Sequence, residues 1–120
     1  MGTVVDFSKE RDLRYMGMEI PIHTKESLDR YFINGWRPGG FCEAMLAQDY
    51  DRALAIADQA NRQMFWAIAT WIRENAPPAS AGSYAIIDAW VKDENSVRST
   101  FARKAQKAHT WRSLKEPGTI

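Results

Sequence analysis

The 120 residues contain one cysteine, Cys42, so no internal disulfide can form. A lone thiol fits a reducing compartment and excludes the disulfide scaffolds of small secreted domains. No apolar run approaches the ~18 residues needed to span a bilayer, and no basic-then-apolar leader opens the chain. The expectation is a cytoplasmic protein with no membrane partner. Histidine is equally scarce, with His23 and His109 far apart in the chain. Cys-x-x-Cys, His-Glu-x-x-His, a complete phosphate-binding loop and Gly-x-Ser-x-Gly are all missing. These absences leave no metal site, no cofactor motif and no nucleophile–base pair, so a non-enzymatic protein without catalytic residues is expected. The net charge of +1 gives no overall field to name a partner.

What is present is ordinary for a globular chain: 45% hydrophobic and 26% charged residues, enough for one domain. The charge is unevenly placed. Residues 96–116 carry six Lys/Arg against Glu116 alone, net +5, while residues 1–95 hold ten basic and fourteen acidic side chains, net −4. An acidic body followed by a basic last helix can dock the one on the other or meet an anionic partner.

The pattern predicts an all-α fold: a compact bundle of about five helices, with residues 1–18 as an N-terminal arm, 19–116 as a single helical domain, and 117–120 as a tail. Within the arm, Thr3 to Phe7 reads as one short strand. Thr24 is the expected N-cap of a first helix with Leu28, Tyr31 and Phe32 on its apolar face, and Gly35 its left-handed stop. Trp36-Arg37-Pro38-Gly39-Gly40 forms a turn, with Pro at its first corner and Gly tolerating positive φ at its second. A short helix follows, with Phe41, Met45 and either Ala44 or Leu46 inward. Asp49 caps the longest expected helix, residues 51 to 75, whose stripe is Ala53, Ala57, Ala60, Met64, Ile68, Trp71 and Ile72. Pro77-Pro78 ends it. Ser83 caps a helix bearing Ile86, Ile87, Trp90 and Val91, and Ser96 opens the basic last helix, with Val97, Phe101, Ala105, Ala108 and Trp111 inward.

Two places suggest a ligand. If Gly39 and Gly40 open a helix, the amides of Gly40, Phe41 and Cys42 lack intrahelical partners and can hold a phosphate or carboxylate, with Arg37 as counter-charge. A plain turn with a solvated Arg37 is the bland alternative. On the long helix, Asp58 and Asn61 interrupt a stripe of Leu54, Phe65, Ile68 and Ile72. Either they pair locally, Asp58 with Arg62 and Asn61 with loop backbone, or both face a pocket shared with the 37–40 turn, reading a ribose or base. Trp71, Trp90 and Trp111 have core spacing, whereas Trp36 and Trp66 fit no stripe and either can stack on a nucleobase or rim a pocket. Tyr31 or Trp66 supplies a stacking wall, and His23 is a further ligand contact.

The run Ile20-Pro21-Ile22-His23-Thr24, with Ser27-Leu28, Arg30-Tyr31, Pro38-Gly39-Gly40-Phe41, Ala44, Leu46, Asp49, Ala57-Asp58 and Asn61, resembles a group of small helical phage and prophage proteins, mostly uncharacterised. The similarity spans about residues 20 to 90. That group often has Pro where Arg37 stands, and Cys-Trp-Gly-Ser where only Gly82-Ser83 matches here. Compact phage proteins of this size include inhibitors of bacterial defence, among them the Sequestin and Lockin sponges that sequester nucleotide signals, although no diagnostic motif of either stands in this chain. The resemblance carries over pocket positions rather than an activity. The expectation drawn from the residues is a phage accessory protein of the host cytoplasm that binds a phosphate-bearing nucleotide-like molecule without turnover. A small helical protein with this many aromatics can complete its pocket across a homo-oligomer interface. The rival classes are a protein–protein inhibitor or virion-associated interaction module acting through Trp36, Trp66 and the basic helix, and a nucleic-acid binder through residues 96–116, whose basic face is ragged.

Overall fold

The computed structural model describes residues 14–15 and 18–108, with side chains from 20 to 105. The expected strand at residues 3–7, Trp111 and the remainder of the basic segment beyond 108 lie outside the described residues. A two-residue antiparallel pairing, β1 (Arg14–Tyr15) with β2 (Met18–Glu19), leads into seven α-helices. These are α1 (Ile22–Asp29), α2 (Gly40–Leu46), α3 (Tyr50–Ile56), α4 (Gln59–Gln63), α5 (Phe65–Asn75), α6 (Tyr84–Val91) and α7 (Val97–Ala108). The all-helical class is as expected, with two more helices than the five predicted.

The extra helices come from the segment read as one long rod. Ala57 and Asp58 are extended, and the Asp58 carboxylate caps α4 by accepting from the Asn61 amide at 2.8 Å. An aspartate bonds its own backbone better at a helix start than inside a helix, so position 58 begins a new helix. A second kink at Met64 (φ −100°, ψ 12°) separates α4 from α5. The break places Ala53 and Ala57 in the core while Ala60 and Leu54 stay exposed, so the continuous stripe is not realised.

The first helix starts earlier than expected. Pro21 is its N-cap, and Thr24 is a buried interior residue. A π-helical turn, Arg30–Asn34, continues α1 to Gly35, whose φ of +73° supplies the expected left-handed stop. Asp49 and Ser83 cap α3 and α6 through their side-chain oxygens. On α2, Ala44, Met45 and Leu46 are all buried and Phe41 is half-buried. Val97, expected inward, is exposed.

The core is aromatic and its polar edges are satisfied. Tyr31, Phe32, Trp71 and Trp90 are buried, with ring centroids 5.5–6.2 Å apart along the chain Trp90–Tyr31–Phe32–Trp71. The Trp90 indole donates to the Tyr31 carbonyl at 3.0 Å, and the Tyr31 hydroxyl donates to the Ser80 carbonyl at 2.7 Å, fixing the 76–83 loop against α1. Burial pushes the Tyr31 phenol well above its usual range. Lys25 is also buried, a position that the apolar pattern of α1 did not flag, and it is not without a partner.

Arg98 joins α7 to the rest. Its guanidinium donates to the carbonyls of Trp90, Val91 and Ile33 at 3.0, 3.5 and 3.4 Å, the positively charged fork answering carbonyls at two helix ends. Gly35 lies under this fork: a Cβ there would come within 2.4 Å of Arg98 Nε. The hydrogen bonds of Arg98 thus go to backbone carbonyls rather than to acidic side chains.

Candidate functional site

Residues 23, 26, 27 and 30 are spaced three and four apart, so His23, Glu26, Ser27 and Arg30 share the outer face of α1. Facing them is the 36–40 turn. Between them lies a hollow of about 280 Å³ lined by these four residues with Trp36, Arg37, Pro38 and Gly39. A second, shallower hollow of about 270 Å³ continues along α1, bounded by Thr24, Phe41, Cys42 and Asn61. The two share His23, Ser27 and Gly39. Together they form one groove, of a size that small-molecule sites use.

The groove brings together His23, Gly39, Gly40, Phe41 and Asn61 of the residues singled out from the sequence. Gly39 has extended backbone (φ −65°, ψ 171°), so the positive φ expected at the second corner is absent. A Cβ on Gly39 would meet nothing within 4 Å, so this wall is bare. Gly40 opens α2 beneath Ile56 and Arg52, to which an added Cβ would lie 3.2 and 3.4 Å away. Asn61 is held by Thr24, whose hydroxyl donates to its side-chain carbonyl, leaving the Asn61 amide hydrogens as donors. Its partner is therefore a side chain of α1 rather than loop backbone.

Four expected site residues have other employment. Tyr31 is fully buried in the core and cannot stack on a ligand. Asp58 caps α4 and lines neither hollow, and Arg62, its expected partner, instead lies 3.4 Å from the carbonyls of Leu54 and Ala57. Trp66 is exposed but packs beside Tyr50 and edge-on to Phe65, away from the groove. Arg37 lines the first hollow, yet its guanidinium is held by two carboxylates: Glu43 at 2.8 Å and Asp88 on α6. Asp88 first, then Glu43, drives the Arg37 pKa upward. Glu43 also meets Arg52 at 3.4 Å, Arg52 donates to the Tyr84 hydroxyl at 2.8 Å, and that hydroxyl donates to Asp49 at 2.7 Å. This face is closed by its own residues.

Arg30 is the cation that the sequence reading passed over. Its guanidinium lies 5.7 Å from the Trp36 ring centroid and makes no ion pair among the described residues. Trp36 is 63% exposed. A readable signal did exist, the i, i+3/i+4, i+7 spacing of polar residues on the face of α1 opposite Leu28 and Tyr31. His23 stands exposed at the rim, 4.0 Å from Glu26. Cys42 forms part of the floor, and burial pushes its thiol up to about 11, so it stays protonated at neutral pH.

The arrangement can bind: a cation over an indole, a bare backbone wall and the Asn61 amide hydrogens in adjoining hollows. No family model matches the chain, and neither the curated proteins nor the solved structures contain a match to it. Among the described residues, no helix is long and apolar enough to cross a membrane.

Proposed function

We propose that this protein binds and holds, without turnover, a small phosphate-bearing nucleotide-like molecule in the groove between α1 and the 36–40 turn. The observation that carries the reading is the Arg30–Trp36 pair, a guanidinium that no carboxylate among the described residues pairs, beside an exposed indole in a two-lobed groove. The indole face suits a nucleobase, the guanidinium suits a phosphate, and the Asn61 amide suits a ribose hydroxyl or base edge. Arg30 here takes the role first assigned to Arg37. Together with the phage resemblance, this points to an accessory protein of the host cytoplasm that captures a signalling nucleotide as a sponge. Titration calorimetry against a panel of adenine nucleotides and cyclic nucleotides tests it. Binding should weaken about tenfold or more in Arg30→Ala and Trp36→Ala. No heat from any nucleotide, with unchanged melting, overturns the proposal.

A second reading is favoured by Trp66, a large aromatic 66% exposed on a different face. In it the chain docks on a host protein, Trp66 being the anchor. Pull-down from host lysate separates the two: a sponge retains small molecules and no stoichiometric protein, whereas a docking module retains a protein that Trp66→Ala releases.

A further inference from the structure

The six arginines from Arg30 to Arg98 divide sharply. Arg37, Arg52, Arg62 and Arg98 all reach protein oxygens. Among the described residues Arg30 and Arg73 do not, and each lines a hollow. The Arg73 hollow, about 210 Å³, lies where the end of α5 meets the 76–81 loop and the α2–α3 connection. Two other polar residues line it, Gln48 and Tyr50, and neither makes a side-chain hydrogen bond among the described residues. Tyr31 and Tyr84, by contrast, both have bonded hydroxyls. The rest of the lining is apolar, with Ile72, Pro77 and Pro78 prominent and no acidic side chain.

The walls are fixed in advance. On one side the Gln48 and Asp49 amides donate to Met45 and Ala44 at 3.2 and 2.8 Å. On the other, Gly82 donates to Leu46 at 2.8 Å, and both the amide and hydroxyl of Ser80 donate to Pro77. A preformed hollow with one cation, two further donors and apolar walls fits a monoanion with a short apolar group. The guanidinium fork matches a carboxylate in two parallel hydrogen bonds, whereas a phosphate dianion would keep one charge unanswered.

We propose that the Gln48–Tyr50–Arg73 hollow is a second binding site, independent of the α1 groove, that takes a small carboxylate. The carboxylate can come from a free short-chain acid or from the C-terminus of a peptide. Amide-resolved NMR titration of the full chain separates these sources, with propionate, a short peptide ending in alanine, the same peptide amidated, and inorganic phosphate as probes. Expected are saturable shifts at residues 48–50 and 76–81 from propionate or the free-acid peptide, none there from the amidated peptide, and weaker response to phosphate. A peptide bound about tenfold tighter than propionate identifies the chain end as the ligand. Arg73→Gln should weaken binding about tenfold, Tyr50→Phe less, and Arg30→Ala not at all. Absent saturation with both acids, an equal response to the amidated peptide or phosphate, or indifference to Arg73→Gln overturns the proposal.

Discussion

On the α6 side of the 36–40 turn every charge is answered. Arg37 and Arg52 thread between Glu43, Asp88 and Asp49, with Tyr84 closing the chain. On the α1 side, seven residues earlier in the chain, Arg30 has an indole and open solvent. The two arginines border the same hollow and differ only in their neighbours. What decides whether a guanidinium can receive an anion is the set of carboxylates that the fold brings to it. Exposed pairs of the Arg37 kind add at most about 1 kcal/mol to stability, so their main effect is to close a surface to outside anions.

The same turn holds a second contrast, between glycines. Gly35 is left-handed and pressed under Arg98, while Gly39 faces empty space. Gly35→Ala should have the largest effect, a loss of about 2 kcal/mol or more from backbone strain and the displaced Arg98, read by chemical denaturation. Raising the pH should act next, through the floor of the groove. The buried Cys42 thiol ionises in the unfolded chain near 9 but only at about 11 when folded. Its contribution is therefore complete below pH 9 and lost as pH climbs from 9 to 11, by on the order of 2 kcal/mol. Cys42→Ser or Cys42→Ala should flatten that part of the pH profile. Asn61→Ala removes the partner of the buried Thr24 hydroxyl and should cost about 1 kcal/mol. Arg37→Ala should cost less than about 1 kcal/mol and leave nucleotide affinity nearly unchanged, in contrast to Arg30→Ala. Asp88→Ala with Glu43→Gln sharpens the same point by freeing Arg37, and should strengthen anion binding in calorimetry. Gly39→Ala should change stability by under about 0.5 kcal/mol, and any lost affinity in that variant reports the bare wall directly.

Much of the helical class was readable from the sequence because caps and stops are local. Gly35, Asp49, Ser83 and the core tryptophans Trp71 and Trp90 all do what their spacing implies. The 39–40 corner and Asn61 border one hollow, while Asp58, read together with Asn61, does not. The failures are tertiary. Asp58 could be read as a stripe residue until the chain was seen to break there, and Tyr31 as a stacking wall until the 76–83 loop was seen to cover it. Arg37 drew attention because it adjoins a Pro-Gly-Gly turn, but Asp88, which holds it, is 51 positions away. Arg30 and Arg73 matter for the opposite reason: among the described residues neither has an ion-pair or hydrogen-bond partner, which only three-dimensional neighbours can reveal.

The attachment of the last helix has a practical corollary. One planar side chain gathers three carbonyl oxygens from two separate segments. A lysine has a single ammonium and cannot span them, so Arg98→Lys should loosen the final helix, which Phe101 beside Trp90 and the buried Ala105 still tie to the aromatic centre. Limited proteolysis of that variant should cut first just beyond Val91, making one guanidinium the latch of the C-terminal segment.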